Sequence, residues 1–381
     1  MRRTRRLMPS RAVPAALLLS LLPHAAPAQP REDWSISLTM ENDAFFGSSD
    51  SSYTNGIRVS WDLLRYSRRL TAISRVLTLE ALVDKVRGGR ALTTARDACA
   101  PHEAREGGTR NCMSLGFSIA QTMFTPSDII DPRLQVDDRP YAGMLFGSVY
   151  VNRLRNRAQY ATELQLGVIG PASRAEDTQS LAHWTWSSVS GKPRGWDNQL
   201  RNRLQVGLVN TYQYRLFERC TAGACNGASS EGRWFDLTPR VEGVLATHMV
   251  RGSGGALLRL GYGFPDAVGL TRVPTTMAVE AGAGRPAVWF NGFVSIDQRA
   301  VLHNTFITGA SPFGADRWND VRRIGLARSV RELSGGGALG FSRGTIVVQV
   351  VQRSREYVPD GGSHRFGSVT LMLHTPKVAG K

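Results

Sequence analysis

The sequence predicts an all-β protein, a transmembrane antiparallel β-barrel of about twelve strands with a short helix in an extracellular loop. Three observations carry that expectation. The chain opens with an export leader, its later residues alternate apolar and polar with period two, and the alternating runs come to an even number.

The leader comes first. "MRRTRRLMPSR" is basic, "AVPAALLLSLL" is apolar but too short to span a bilayer as a helix, and "APA" ending at Ala28 is a small-residue cleavage site. Residues 1–28 therefore read as a signal peptide, and 29–381 as a single outer-membrane barrel domain. The paired arginines would also suit a twin-arginine signal, although an ordinary basic leader is commoner. Removing Arg2, Arg3, Arg5, Arg6 and Arg11 with the leader lowers the formal charge from +16 to +11. For an exported basic protein the expected anionic partner is a lipid or saccharide phosphate. Clustered basic helices and RNA-binding signatures are missing, so no nucleic-acid partner is expected.

The strands follow in order. "WSISLTM" (34–40) sets Trp34, Ile36, Leu38 and Met40 on one face and Ser35, Ser37 and Thr39 on the other. The same pattern recurs at 57–63, 113–121, 145–154, 160–168, 204–217, 233–246, 256–264, 287–297, more weakly at 322–332, then at 345–353 and 365–373. A soluble sandwich would bury the apolar face and expose charge, whereas a barrel turns that face to lipid and fills its lumen with small and polar groups. Export, strand count and strand length favour the barrel. The tail "TPKVAGK" counts mildly against it, because no aromatic residue closes the chain.

With both chain ends periplasmic, the connections 41–56, 122–144 and 169–203 share the extracellular rim. Residues 65–111 read as a periplasmic insertion containing the amphipathic stretch "RRLTAISRVLTLEALVDKVRGG". Cys99 with Cys112 and Cys220 with Cys225 form two local pairs on the periplasmic side. They suit disulfides in an oxidising compartment better than a zinc site.

Three polar clusters then share one rim. The first, "MENDAFFGSSDSSYTNG" (40–56), carries Asn42, Asp43 and Thr54, residues that turns also use. The second, "QTMFTPSDIIDPRLQVDDRPYAG" (121–143), reads as a structural corner in which Asp137 or Asp138 pairs with Arg139. In the third, "GVIGP" ends a strand and "AEDTQSLAHW" starts a helix with acidic residues at its positive end. Gln179 and His183 stand four apart on that helix and so share a face. A histidine there could simply anchor the loop. Beside carboxylate and carboxamide groups it could instead serve hydrolysis.

Together "END" (41–43), "YTNG" (53–56), "TP" (125–126), "DRPYAG" (138–143), "GVIGP" (167–171), Gln179 with His183, and "GWDNQL" (195–200) resemble the calcium-dependent lipid A 3'-O-deacylases of Gram-negative outer membranes. The resemblance implies a twelve-stranded barrel acting on lipid A in lipopolysaccharide, with its site between the barrel wall and the loop helix. It implies that His183 is the general base, that Asn42 and Asp43 hold Ca2+ or position water, and that Thr54 and Gln179 complete the site. Where some members of that family carry a basic residue shortly after the Thr-Pro step and an acid six residues after the histidine, this chain has Asp128 and Asp131, and Val189. A carboxylate at 128–131 could instead add to cation binding. A structural or porin-like barrel without turnover is the alternative.

Overall fold

The structure is a computed structural model and describes residues 34–45, 52–64, 111–155, 157–185, 193–221, 232–265, 272–273, 288–341, 344–359 and 361–374. The signal peptide, the amphipathic stretch of the insertion, Cys99 and Cys225 lie outside the described residues.

Twelve long strands among the described residues form the wall: β1 (Trp34–Asn42), β2 (Ser52–Leu64), β3 (Asn111–Thr125), β4 (Ala142–Arg155), β5 (Ala158–Ile169), β6 (Arg203–Tyr214), β7 (Arg233–Ala246), β8 (Met249–Tyr262), β9 (Val288–Asn304), β10 (Ser329–Phe341), β11 (Gly344–Arg353) and β12 (His364–His374). Each pairs antiparallel with its neighbours, and β1 pairs with β12, so the sheet closes on itself. Closure is what lipid demands, because an open edge would leave backbone N–H and C=O groups without partners. The short strand Phe217–Cys220 pairs with the first residues of β7, beyond the reach of β6, on the rim opposite Asn42.

Eleven of the expected runs fall within or against these strands, but the tenth is displaced. The weak run at 322–332 overlaps only the first residues of β10, which occupies Ser329–Phe341. Gly335, Gly336 and Gly337 carry no side chains to alternate, so the pattern disappears in the middle of the strand. Part of 322–328 instead forms the two-residue strand Gly325–Leu326, paired with Tyr357–Val358.

Alternation sets the two faces of the wall. In β1 Ser35, Ser37, Thr39 and Glu41 are buried inside, while Trp34 and Leu38 are exposed outside. The outer face remains apolar around the barrel, with Phe117, Ile119, Leu166, Leu245, Phe290 and Val294 all exposed. Such a continuous apolar surface suits lipid.

Paired charges fill the lumen. Arg58 donates to Glu163 at 2.9 Å, to the Ser148 hydroxyl at 3.1 Å and to the Val273 carbonyl at 3.1 Å, and all four residues are buried. Apolar side chains pack the mouth on the Asn42 rim. There the helices α2 (Thr305–Thr308) and α3 (Arg317–Val321) carry Phe306, Ile307 and Trp318 into a cluster with Met144, Phe146 and Val273. Asn304 and Asp316 cap the two helices by accepting from Phe306 N–H and Trp318 N–H. The indole of Trp318 donates to the Ile307 carbonyl at 3.0 Å, which locks one helix to the other.

Glu163→Ala should destabilise the barrel by about 3–5 kcal/mol, since it strands the Arg58 charge inside, whereas Arg58→Met with Glu163→Leu should cost less. The urea midpoint for loss of the fast-migrating, unboiled gel band measures both.

Candidate active site on the outer wall

Because neighbouring residues of a strand face opposite ways, the polar residues near the end of β1 divide between lumen and outer wall. Glu41 points inward and Asn42 outward. Register carries that outer row across the sheet: Asn42 opposes Asn55 of β2, Asn55 opposes Met123 of β3, and Met123 opposes Gly143 of β4.

Thr54 joins the row through an irregularity. The β2–β3 register shifts between Tyr53 and Asn55, leaving Thr54 as an extra residue. Its hydroxyl lies 2.6 Å from that of Thr125, the last residue of β3, and both side chains are buried. Asp43, also buried, opens the 3-10 turn Asp43–Phe45 beyond β1. Asn42 is half-buried.

A loop structure covers the β3 and β4 end of this outer row. The helix α1 (Ala175–Thr185) packs against β3 and β4, with Ala175 in a buried cluster alongside Met123, Ile129, Tyr141 and Trp196. Gly143 allows that approach: a Cβ there would lie 2.2 Å from Ser173 Oγ and 2.3 Å from Ala175 Cβ. Two further hydrogen bonds moor the loop, from Gln121 Nε2 to the Ser173 carbonyl at 2.6 Å and from Gly170 N–H to the Gly143 carbonyl at 2.9 Å.

Gln179 is buried, and its Oε1 accepts from the indole N–H of Trp196 at 2.8 Å. Among the described residues its Nε2 has no hydrogen-bond partner. Trp196 is held in turn by Tyr141, whose ring lies 4.9 Å away and whose hydroxyl donates to the Ile129 carbonyl at 3.0 Å. The "GWDNQL" motif thus orients the glutamine, a contact that its spacing in sequence does not reveal. The helix runs on through His183, whose side chain lies outside the described residues.

The second cluster proves structural, with different partners from those expected. Asp138 accepts from Ser127 N–H at 2.7 Å, from Arg139 N–H at 2.6 Å and from the Tyr357 hydroxyl. The Arg139 guanidinium reaches across to Glu356 at 2.8 Å, and Asp137 pairs with Arg323 at the surface. Asp128 caps the backbone of Ile130 and Asp131, while Arg133 grips Asp131 and holds its carboxyl down at about 2. Both carboxylates are thereby committed to the loop.

The donors on the wall are hard oxygens, from Asn42, Asp43, Thr54 and Thr125, with a single carboxylate among them. That set fits a calcium ion better than a softer metal. Among the described residues no three His, Cys, Asp or Glu side chains cluster.

A family model described as Outer membrane protein LpxR matches residues 13–375. The chain belongs to the LpxR family. This is the outer-membrane lipid A 3'-O-deacylase family that its motifs resemble, and membership places the barrel in the outer membrane. LpxR from Salmonella typhimurium superposes with a TM-score of 0.65 at 16% identity, covering 89% of this chain and 99% of that chain. At that identity the likeness speaks for the fold alone. An outer membrane channel from Pseudomonas putida F1 reaches a TM-score of 0.38 at 8% identity, over 92% of this chain and 100% of its own. The β domain of the Bordetella autotransporter BrkA reaches 0.36 at 8%, over 90% and 98%. Neither of these carries an argument about the present LpxR-family chain. No curated protein matches it in a sequence search.

Gly143→Val should lift α1 from the wall of this family member without opening the barrel. Proteolysis within 170–202 should quicken several-fold in detergent while the heat-modifiable gel shift persists.

Proposed function

We propose that the protein is a lipid A 3'-O-deacylase, hydrolysing an ester-linked acyl chain with water activated by His183. The observation that carries this reading is the row of polar groups at Asn42, Thr54 and Thr125 on the otherwise apolar outer wall, beside which the loop that bears Gln179 and His183 packs onto β3 and β4. Membership of the LpxR family supports it. A porin-like role draws less support, because the mouth on that rim is packed with Phe306, Ile307 and Trp318.

The chemistry asks little of the wall beyond position. His183 takes the proton from water as the oxygen attacks the ester carbonyl, then gives it to the sugar oxygen that departs as the acyl C–O bond breaks, leaving a free hydroxyl and a carboxylic acid. Gln179, fixed by Trp196, presents its Nε2 amide as a donor toward substrate or water. Asn42 and Asp43 would hold calcium, which when bound supplies positive charge to the developing oxyanion. Thr54 holds the wall end of the site through Thr125. Acyl chains lying in the bilayer reach this outer face laterally, and the basic surface suits the phosphates of lipid A.

Lipid A from Gram-negative cells expressing the protein should lose one ester-linked acyl group by mass spectrometry. Cells expressing His183→Ala should retain it, with turnover down at least about 100-fold. Unchanged lipid A in both, with the barrel shown to be inserted, would overturn the proposal. Calcium chelation should abolish ester release by the purified protein and adding calcium back should restore it, an outcome not expected if His183 acts without a cation.

A further inference from the structure

Glu41 and Tyr53 stand immediately beside the proposed site residues Asn42 and Thr54, yet both point into the lumen. The Tyr53 hydroxyl donates to Glu41 Oε2 at 2.6 Å, and both side chains are buried. The other carboxylate oxygen accepts from Arg272 Nε at 2.6 Å.

Arg272 comes from far away. It lies in the connection 263–287 between β8 and β9, whose joined ends occupy the rim opposite Asn42. Its guanidinium nevertheless reaches Glu41 and, at 2.7 Å, Glu332 of β10. Glu332 is anchored by Arg353 at 2.9 Å and Arg299 at 2.8 Å. The next residue, Val273, gives its carbonyl to Arg58 and packs where a side chain on Gly56 would stand, 3.1 Å from the position of its Cβ. The Tyr53 ring is wedged edge-on against Phe366 at 5.0 Å, and the Arg272 guanidinium covers the other ring of that pair at 4.9 Å.

We propose that Arg272 is a positioning residue for the outer-wall site, holding Asn42, Asp43 and Thr54 in place through Glu41 and Tyr53. The inference rests on the hydrolase reading for its consequence, and on strand geometry for its mechanism. Residues adjacent in a strand face opposite sides, so anchoring Glu41 and Tyr53 inside fixes the orientation of Asn42 and Thr54 outside. The bulge at Thr54 makes this more than a formality. A bulged residue lacks the ladder partner on β3 that would hold its neighbours in register, and the Tyr53 to Glu41 bond ties β2 at that point to its other neighbour, β1, just beyond the last β1–β2 pair.

The test compares full-length wild type, Arg272→Met, Arg272→Lys and Tyr53→Phe in detergent. A control, Arg240→Met, breaks a different luminal pair, with Asp297. Hydrogen exchange is followed in peptides covering 41–56, and ester release is measured in parallel. Arg272→Met should speed exchange in 41–56 several-fold and lower kcat about tenfold with KM unchanged. Arg272→Lys should recover part of both, Tyr53→Phe should shift both in the same direction, and the control should leave both at wild-type values.

Wild-type exchange and kcat in Arg272→Met would overturn the inference, as would an equal change in the control. If Arg272→Met does not fold, Tyr53→Phe decides on the same readouts. Should the wild type release no ester while 41–56 still loosens in the variants, the hydrolase reading fails and the tether stands.

Discussion

The closed backbone ladder is the constraint from which the rest of this structure follows. Every strand in the wall must pair on both sides, so alternation is enforced along its length and each residue commits to lumen or lipid. A polar residue cannot choose its face independently of its neighbours. Glu41 and Asn42 show the consequence: one joins a buried charge network, the other breaks an apolar outer wall, and neither placement can change without the other.

That coupling explains why the lumen is so highly charged. A barrel with an apolar exterior turns inside out the usual sorting of polar groups, and its interior polar groups must then satisfy one another. Here they do so in chains. Glu332 takes three arginines, Arg353 passes the chain to Glu356, and Glu356 reaches Arg139 in the corner formed by "DRPYAG". Removing one member leaves a charge in a place water does not readily reach, so the network tends to act as a unit. The corner and the proposed site are therefore backed by one continuous set of interactions.

Much of this was legible in the sequence, and the part that was not has a common cause. Period-two alternation located eleven strands, and the acidic start after "GVIGP" located α1, because both signals are local. It failed at β10, where three glycines leave nothing to alternate. Spacing showed that Asn42, Asp43, Thr54 and Gln179 belong to connections on one rim, but it could not show which side of the wall each faces. The bulge at Thr54 shifts facing by one residue and leaves no trace in composition. Arg139 with Glu356, Arg272 with Glu41, and Trp196 with Gln179 are contacts between segments that only closure brings together.

The location of the proposed site also bears on the kind of substrate it can serve. A site in the lumen would be reached from water through a mouth, and that mouth is packed by Phe306, Ile307 and Trp318. A site on the outer face is reached from the bilayer, where a molecule already anchored by acyl chains keeps them in hydrocarbon while its headgroup meets the rim. Only near the rim can the outer face of such a wall carry polar groups at low cost, because their cost there falls toward the interface. Asn42, Thr54 and Thr125 lie at strand ends, at that boundary. An ester joining an acyl chain to a sugar lies at the same depth, between hydrocarbon and headgroup. The strand-end position thus matches the chemistry proposed for it, independently of which acyl chain is cut.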